Sequence, residues 1–138
     1  MSIVQTQTTS FKAEIYQAVH NLLTDTIKIA LYNGNANLNA DTTVYATTDE
    51  VVAAGYTAGG NTLTGVTLST SDSTVYVNFA NTSWTSALTA RCALIYNASQ
   101  GNKSVAVLDF GADKTSVTTF LITMPANTAT AALIRSSN

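Results

Sequence analysis

Thr89-Ala90-Arg91-Cys92-Ala93-Leu94-Ile95-Tyr96, then Asn97-Ala98-Ser99-Gln100-Gly101-Asn102-Lys103, then Val105-Ala106-Val107-Leu108-Asp109-Phe110: this stretch decides the fold. Its two outer runs are apolar at successive positions, as strands covered on both faces must be. The segment between them is polar and turn-forming, with Gly101 between Asn97 and Asn102, so the two runs form a hairpin. Strands that bury both faces belong in the middle of a sheet, and the rest of the chain has to supply its edges and its cover.

Working outward, Ile27, Ile29 and Leu31 alternate with Lys28, Ala30 and Tyr32, which gives a strand with one clearly apolar face. The turn-rich Asn33-Gly34-Asn35-Ala36-Asn37 ends it. Val75, Val77 and Phe79 alternate with Tyr76 and Asn78 in a second clean strand, and residues 117–123 and 131–135 supply two more, separated by Pro125 and Asn127. Short strands with turn signals between them predict a mostly β domain, an antiparallel β-sandwich or barrel-like fold. One helix accompanies it. Phe11, Ile15, Val19, Leu22 and Leu23 lie on one face of a 3.6-residue repeat, which predicts an N-terminal α-helix over 10–23 with Ser10 as its N-cap, covering one open side. Thr47 and Glu50 have capping-box spacing and Gly55 suits a helix end, so a single helical turn is expected over 51–54, before a flexible loop over 55–61. The whole chain, 1–138, reads as one β-rich domain without internal repeat or linker. Residues 1–9 are polar except Ile3 and Val4 and are expected to be a flexible terminus, an arm that reaches a neighbour being the alternative.

Composition narrows the function classes. Charged residues make up 10% of the chain against roughly 25% in ordinary soluble domains, and Thr alone is about a sixth of it. Such a surface is polar but nearly uncharged, and the formal charge of −2 offers little protection against association. Two readings fit: much of the surface meets neighbouring subunits, or it is the neutral skin of a secreted or viral monomer. Lys12, Lys28, Arg91, Lys103, Lys114 and Arg135 are scattered singly, which argues against nucleic acid as a partner. No basic segment followed by an apolar run opens the chain, and no stretch reaches the ~20 apolar residues of a membrane span, so neither a leader nor a membrane partner is expected.

Residues able to carry chemistry are few. Cys92, the single cysteine, can form neither an internal disulfide nor a cysteine zinc site; in its apolar run it reads as a small buried hydrophobe rather than a reactive thiol. His20, the single histidine, lies in the predicted helix with no acidic partner beside it and reads as structural or surface. No nucleophile elbow occurs. Asp49-Glu50 is explained by the capping box, and Asp109-Phe110-Gly111 stands without the other motifs that give such a tripeptide a metal role. Asp109 interrupts an apolar strand and needs a partner; Arg91 on the preceding strand is the natural one, a structural ion pair being favoured over a functional carboxylate. Trp84 reads first as a core residue at a strand start and, as the alternative, as an anchor for an interface or a sugar, with Tyr56 and Tyr76 as further interface candidates. No catalytic, metal or cofactor-binding residue is identified, and no enzyme activity or cofactor is expected.

Read together, four stretches resemble a family of small virion-associated structural proteins encoded by tailed bacteriophages. They are Phe11-Lys12-Ala13-Glu14 with His20 and residues 25–32; Gly55-Tyr56-Thr57-Ala58-Gly59-Gly60; residues 79–96, containing Trp84 and Thr89-Ala90-Arg91; and residues 105–111 followed by Asp113-Lys114. Cys92 departs from the pattern, which has glycine there. The resemblance implies a structural part of the phage particle, assembled in the bacterial host cytoplasm. A capsid decoration (cement) protein comes first, bound to the major capsid protein or other virion proteins on the outer shell, as a homo-oligomer with a trimer favoured. A tail, neck or fibre component contacting the host surface is the next expectation. A carbohydrate-binding module, with Trp84, Tyr32, Tyr56 and Tyr76 as stacking platforms, is the third.

Overall fold

A computed structural model describes residues 2–137. Along the chain run β1 (Thr6–Gln7), α1 (Thr9–Tyr16), β2 (Ile27–Tyr32), β3 (Asn61–Thr62), β4 (Thr67–Ser71) and β5 (Thr74–Asn78). Next come β6 (Thr82–Trp84), β7 (Thr89–Asn97), a 3₁₀ turn (Ala98–Gln100), β8 (Lys103–Thr115), β9 (Phe120–Ile122) and β10 (Ile134–Ser136). The protein is mostly strand with one α-helix, in antiparallel sheets with a sandwich-like arrangement, as its alternating and doubly apolar runs require.

The β7–β8 hairpin is the centre of a five-stranded sheet ordered β1-β8-β7-β2-β3. Directly paired residues share a face. Ile29, Ile95 and Ala106 therefore line up on one side, and Ala30, Leu94 and Val107 on the other. The first side packs against two smaller sheets, β10-β5-β4 and β6-β9, which contribute Val77, Phe79, Trp84, Phe120, Ile122 and Ile134. The second side is covered by irregular chain carrying Ile3, Ala36, Leu38 and Tyr45. Cover on both faces is why the central strands carry no polar alternation. Cys92 is fully buried there.

The hairpin turn follows from its residues. Asn97 caps the 3₁₀ turn by accepting from Ser99 N at 3.0 Å, and Gly101 supplies a left-handed φ of 66°. Two irregularities then shape β8. Val105 is an extra residue between the Ile95–Ala106 and Tyr96–Ser104 pairs, a bulge that turns both Val105 and Ala106 into the first core. Farther on, residues 110–113 loop out opposite the single residue Arg91, with Gly111 at φ 84°.

Three local expectations are corrected. The helix starts at Thr9 under Thr8, whose Oγ1 accepts from Phe11 N at 3.3 Å, and it ends at Tyr16 rather than 23. Ser10 is inside it, not its cap. Phe11 alone anchors it; the chain reverses at Ala18 (φ 59°), which leaves Ile15 and Leu23 exposed and brings Leu22 and His20 inward. The N-terminal segment is not a free arm: β1 pairs with β8, and Leu38 accepts from Val4 N at 3.0 Å while its own N–H donates to Ser2 O at 2.8 Å. Met1 lies outside the described residues. The helical turn over 51–54 is absent as well. Val51 N donates instead to Leu31 O at 2.9 Å, so this segment extends the β2 side of the sheet.

Candidate functional site

Of the surface candidates, two turn out to be interior. Trp84 is 4% exposed, packed 5.8 Å from the Tyr56 ring and 6.3 Å, edge-on, from Phe120. Tyr56 is buried, as is Tyr32. Trp84 and Tyr56 therefore serve the core and not an interface: β6 and the loop after Val51 close over the same apolar layer, and their large rings fill it. Tyr76 remains partly exposed on the outer face of β5, between Ser69 of β4 and Arg135 of β10. Arg91 Nη2 lies 3.1 Å from Asp109 Oδ1 beside the irregularity in β8, and that oxygen also accepts from Gly111 N at 2.8 Å. The pair thus spans the point where the ladder is interrupted.

Two buried polar networks went unseen in the sequence. Glu50, taken for a cap, has its carboxylate inside the protein. Oε1 accepts from Tyr45 Oη at 2.7 Å, and Oε2 accepts from Tyr56 Oη at 2.6 Å and Gly59 N at 2.8 Å. Tyr96 Oη donates to Gly59 O at 2.6 Å, and its ring stacks on Tyr45 at 4.6 Å. Burial, then the bond to Glu50, holds the Tyr45 and Tyr56 hydroxyls well above the usual phenol range; burial, then the Glu50 charge, pushes Tyr96 to about 12. These hydroxyls stay protonated donors and tie the loop over 55–60 to the sheet. Gly60 (φ 77°) makes that approach feasible, because a Cβ there would overlap the Ile29 carbonyl.

His20 is also held internally. Glu14 Oε1 is 2.9 Å from Nε2, and Asn97 Nδ2 is 3.0 Å from Nδ1. Asn97 Nδ2 has no acceptor capacity, so Nδ1 accepts and Nε2–H donates to Glu14. The second Asn97 hydrogen goes to Asp25 Oδ2 at 2.8 Å. The acidic partner that the sequence did not reveal sits across a chain reversal, out of reach of any linear pattern. Bonds from Asn21 N–H and then Asn97 hold Asp25 below its usual pKa. Among the described residues no group of three or more His, Cys, Asp or Glu is placed to hold a metal ion.

A broad groove of about 930 Å³ lies between sheet edges. Its floor includes Leu108, Phe110, Phe120 and Ile122, and its walls come from β1, β9 and β10, each of which has a partner strand on one side only. On the β10 side the lining residues alternate, Leu133, Arg135 and Ser137. Gln7 Nε2 donates to Arg135 O at 3.1 Å, so that carbonyl points away from β5 and toward the groove. Lys114 and Arg135 are the charged residues of the lining. No single residue in the sequence announces this groove, because it is made of chain edges brought together from both ends.

The fold therefore defines a small sandwich-like β domain with closed polar networks and an open groove between strand edges. Comparisons of the chain with protein-family models, with curated proteins and with solved structures found no match.

Proposed function

We propose that this protein is a structural component of a tailed-bacteriophage particle, a decoration protein seated on the outside of the capsid shell. The resemblance of its four sequence stretches to virion-associated proteins supports the class. The observation that carries the oligomer half of this reading is β4. Thr67-Leu68-Ser69-Thr70-Ser71 is an edge strand, largely exposed, with no charge, no proline and no bulge. Edge strands of monomers are normally blunted by such devices, and one without them is suited to lie against another protein. Partners are the major capsid protein or other virion proteins, with the chain acting as a small oligomer, a trimer first. It works by contact and not by catalysis: binding only the mature shell stabilises that shell by linkage, and many equivalent sites offset modest affinity at each. Trp84, Tyr32 and Tyr56 are buried, which leaves Tyr76 alone of the four expected carbohydrate platforms at the surface.

Immunogold labelling of intact phage with antibody against this chain tests the proposal. Label over the head is expected, together with greater heat tolerance of capsids that carry the protein. Label confined to the tail would refute decoration and leave a tail, neck or fibre role.

A further inference from the structure

The groove and the β4–β5 hairpin are complementary features at opposite edges of one sheet. The three-stranded sheet is ordered β10-β5-β4, so β10 and β4 each have one free side. In a strand the N–H and C=O of one residue point the same way, so the Arg135 N–H faces the groove with its carbonyl. The edge there is that of β10, Ile134–Ser136, against which part of the five-residue β4 can lie.

The hairpin also carries apolar side chains that its own core does not cover. Leu68 pairs with Val77, and Val77 with Ile134, both of them interior, so Leu68 is on the core-side face. Val75 is two residues before Val77 and shares that face. Yet Leu68 is 50% and Val75 40% exposed. At its tip Asp72, at φ 52°, presents a carboxylate. The groove offers an apolar floor, and its charged side chains are both cationic.

We propose that the β4–β5 hairpin of a second copy of this chain occupies the groove. Its β4 edge pairs with the edge of β10, Gln7 Nε2 giving up the Arg135 carbonyl, Leu68 and Val75 cover the floor, and Asp72 meets Lys114. This rests on the oligomer half of the function proposed above and not on its location. Because different surfaces of each copy meet, the contact is heterologous and either closes into a ring or continues as a filament. A closed ring of three is the expected form.

Sedimentation velocity of the full chain across a concentration series tests it, with circular dichroism confirming that each variant folds. Wild type sediments as a trimer in reversible exchange with monomer. Asp72→Lys and Lys114→Glu each weaken association by about ten-fold or more, since like charges then face each other. The double variant carrying both restores most of the loss, and Leu68→Lys abolishes assembly through an independent contact. Lys12→Glu, on the exposed side of α1, leaves assembly unchanged. A chain that stays monomeric at every concentration overturns the proposal. So does an oligomer indifferent to these substitutions, or a charge swap that fails to recover. A monomer in solution with gold label on the head refutes this interface alone; a trimer with label on the tail refutes decoration alone.

Discussion

Removing the Glu50 carboxylate should cost this protein much of its stability. In Glu50→Ala, Tyr56 Oη and Gly59 N lose their acceptor inside the protein, whereas the half-buried Tyr45 hydroxyl can turn to water. A stranded buried donor costs about 1–3 kcal/mol. Two of them, with the emptied side-chain volume, give about 3–5 kcal/mol. Against a total stability of about 5–15 kcal/mol, the variant still folds but melts roughly 10–15 °C lower. Glu50→Gln differs in kind. Its single oxygen can serve Tyr56 and Gly59 while its amide donates to Tyr45, so the loss is about 1–2 kcal/mol, that of a charge-assisted bond made neutral. Urea unfolding followed through Trp84 fluorescence reads both, since that ring lies 5.8 Å from Tyr56. The reasoning fails if the two variants are equally destabilised, or if Ala costs less than about 1 kcal/mol.

Trp84→Ala should destabilise by about 3–5 kcal/mol through its cavity. Trp84→Phe costs clearly less, because the buried indole N–H has no partner to lose; a folded, fully stable Ala variant in thermal melts would contradict the interior placement. Four of the six tyrosines, Tyr32, Tyr45, Tyr56 and Tyr96, have raised pKa values. Protons therefore bind the folded state more tightly than the unfolded one, so this stabilisation is complete below the free phenol value of about 10 and is lost as pH rises through the folded values. Phenolate absorbance from those four should appear only with unfolding; its appearance while the protein stays folded would be inconsistent with the network. Burial pushes the Cys92 thiol to about 12, so a thiol reagent should modify it only at the rate of unfolding, and immediate labelling of native protein at neutral pH would show that position to be open.

How much of this was legible depends on how far apart the deciding groups lie. The β7–β8 hairpin and β2 were plain because their information is local: uninterrupted apolar runs, alternation, and a turn built from Asn97, Gly101 and Asn102. The candidate helix misled because periodicity in residues 10–23 promised a buried face, while Ala18 turned the chain to bring His20 onto Glu14 and Asn97. Spacing likewise assigned Glu50 to a capping box. Its actual donors, Tyr45, Tyr56 and Gly59, are set by a loop whose path depends on Gly60 lying against Ile29.

By itself, then, the sequence determined a mostly β chain with doubly covered central strands, an inert buried cysteine and a polar surface poor in charge. Each of these follows from the composition and order of neighbouring residues. Only the tertiary structure decided that Trp84 and Tyr56 face inward, that Thr6 and Gln7 join the sheet, and that β1, β9 and β10 enclose a groove opposite the bare edge of β4. Those outcomes depend on which distant segments pair, and pairing between strands far apart in the chain leaves no periodic mark on either one.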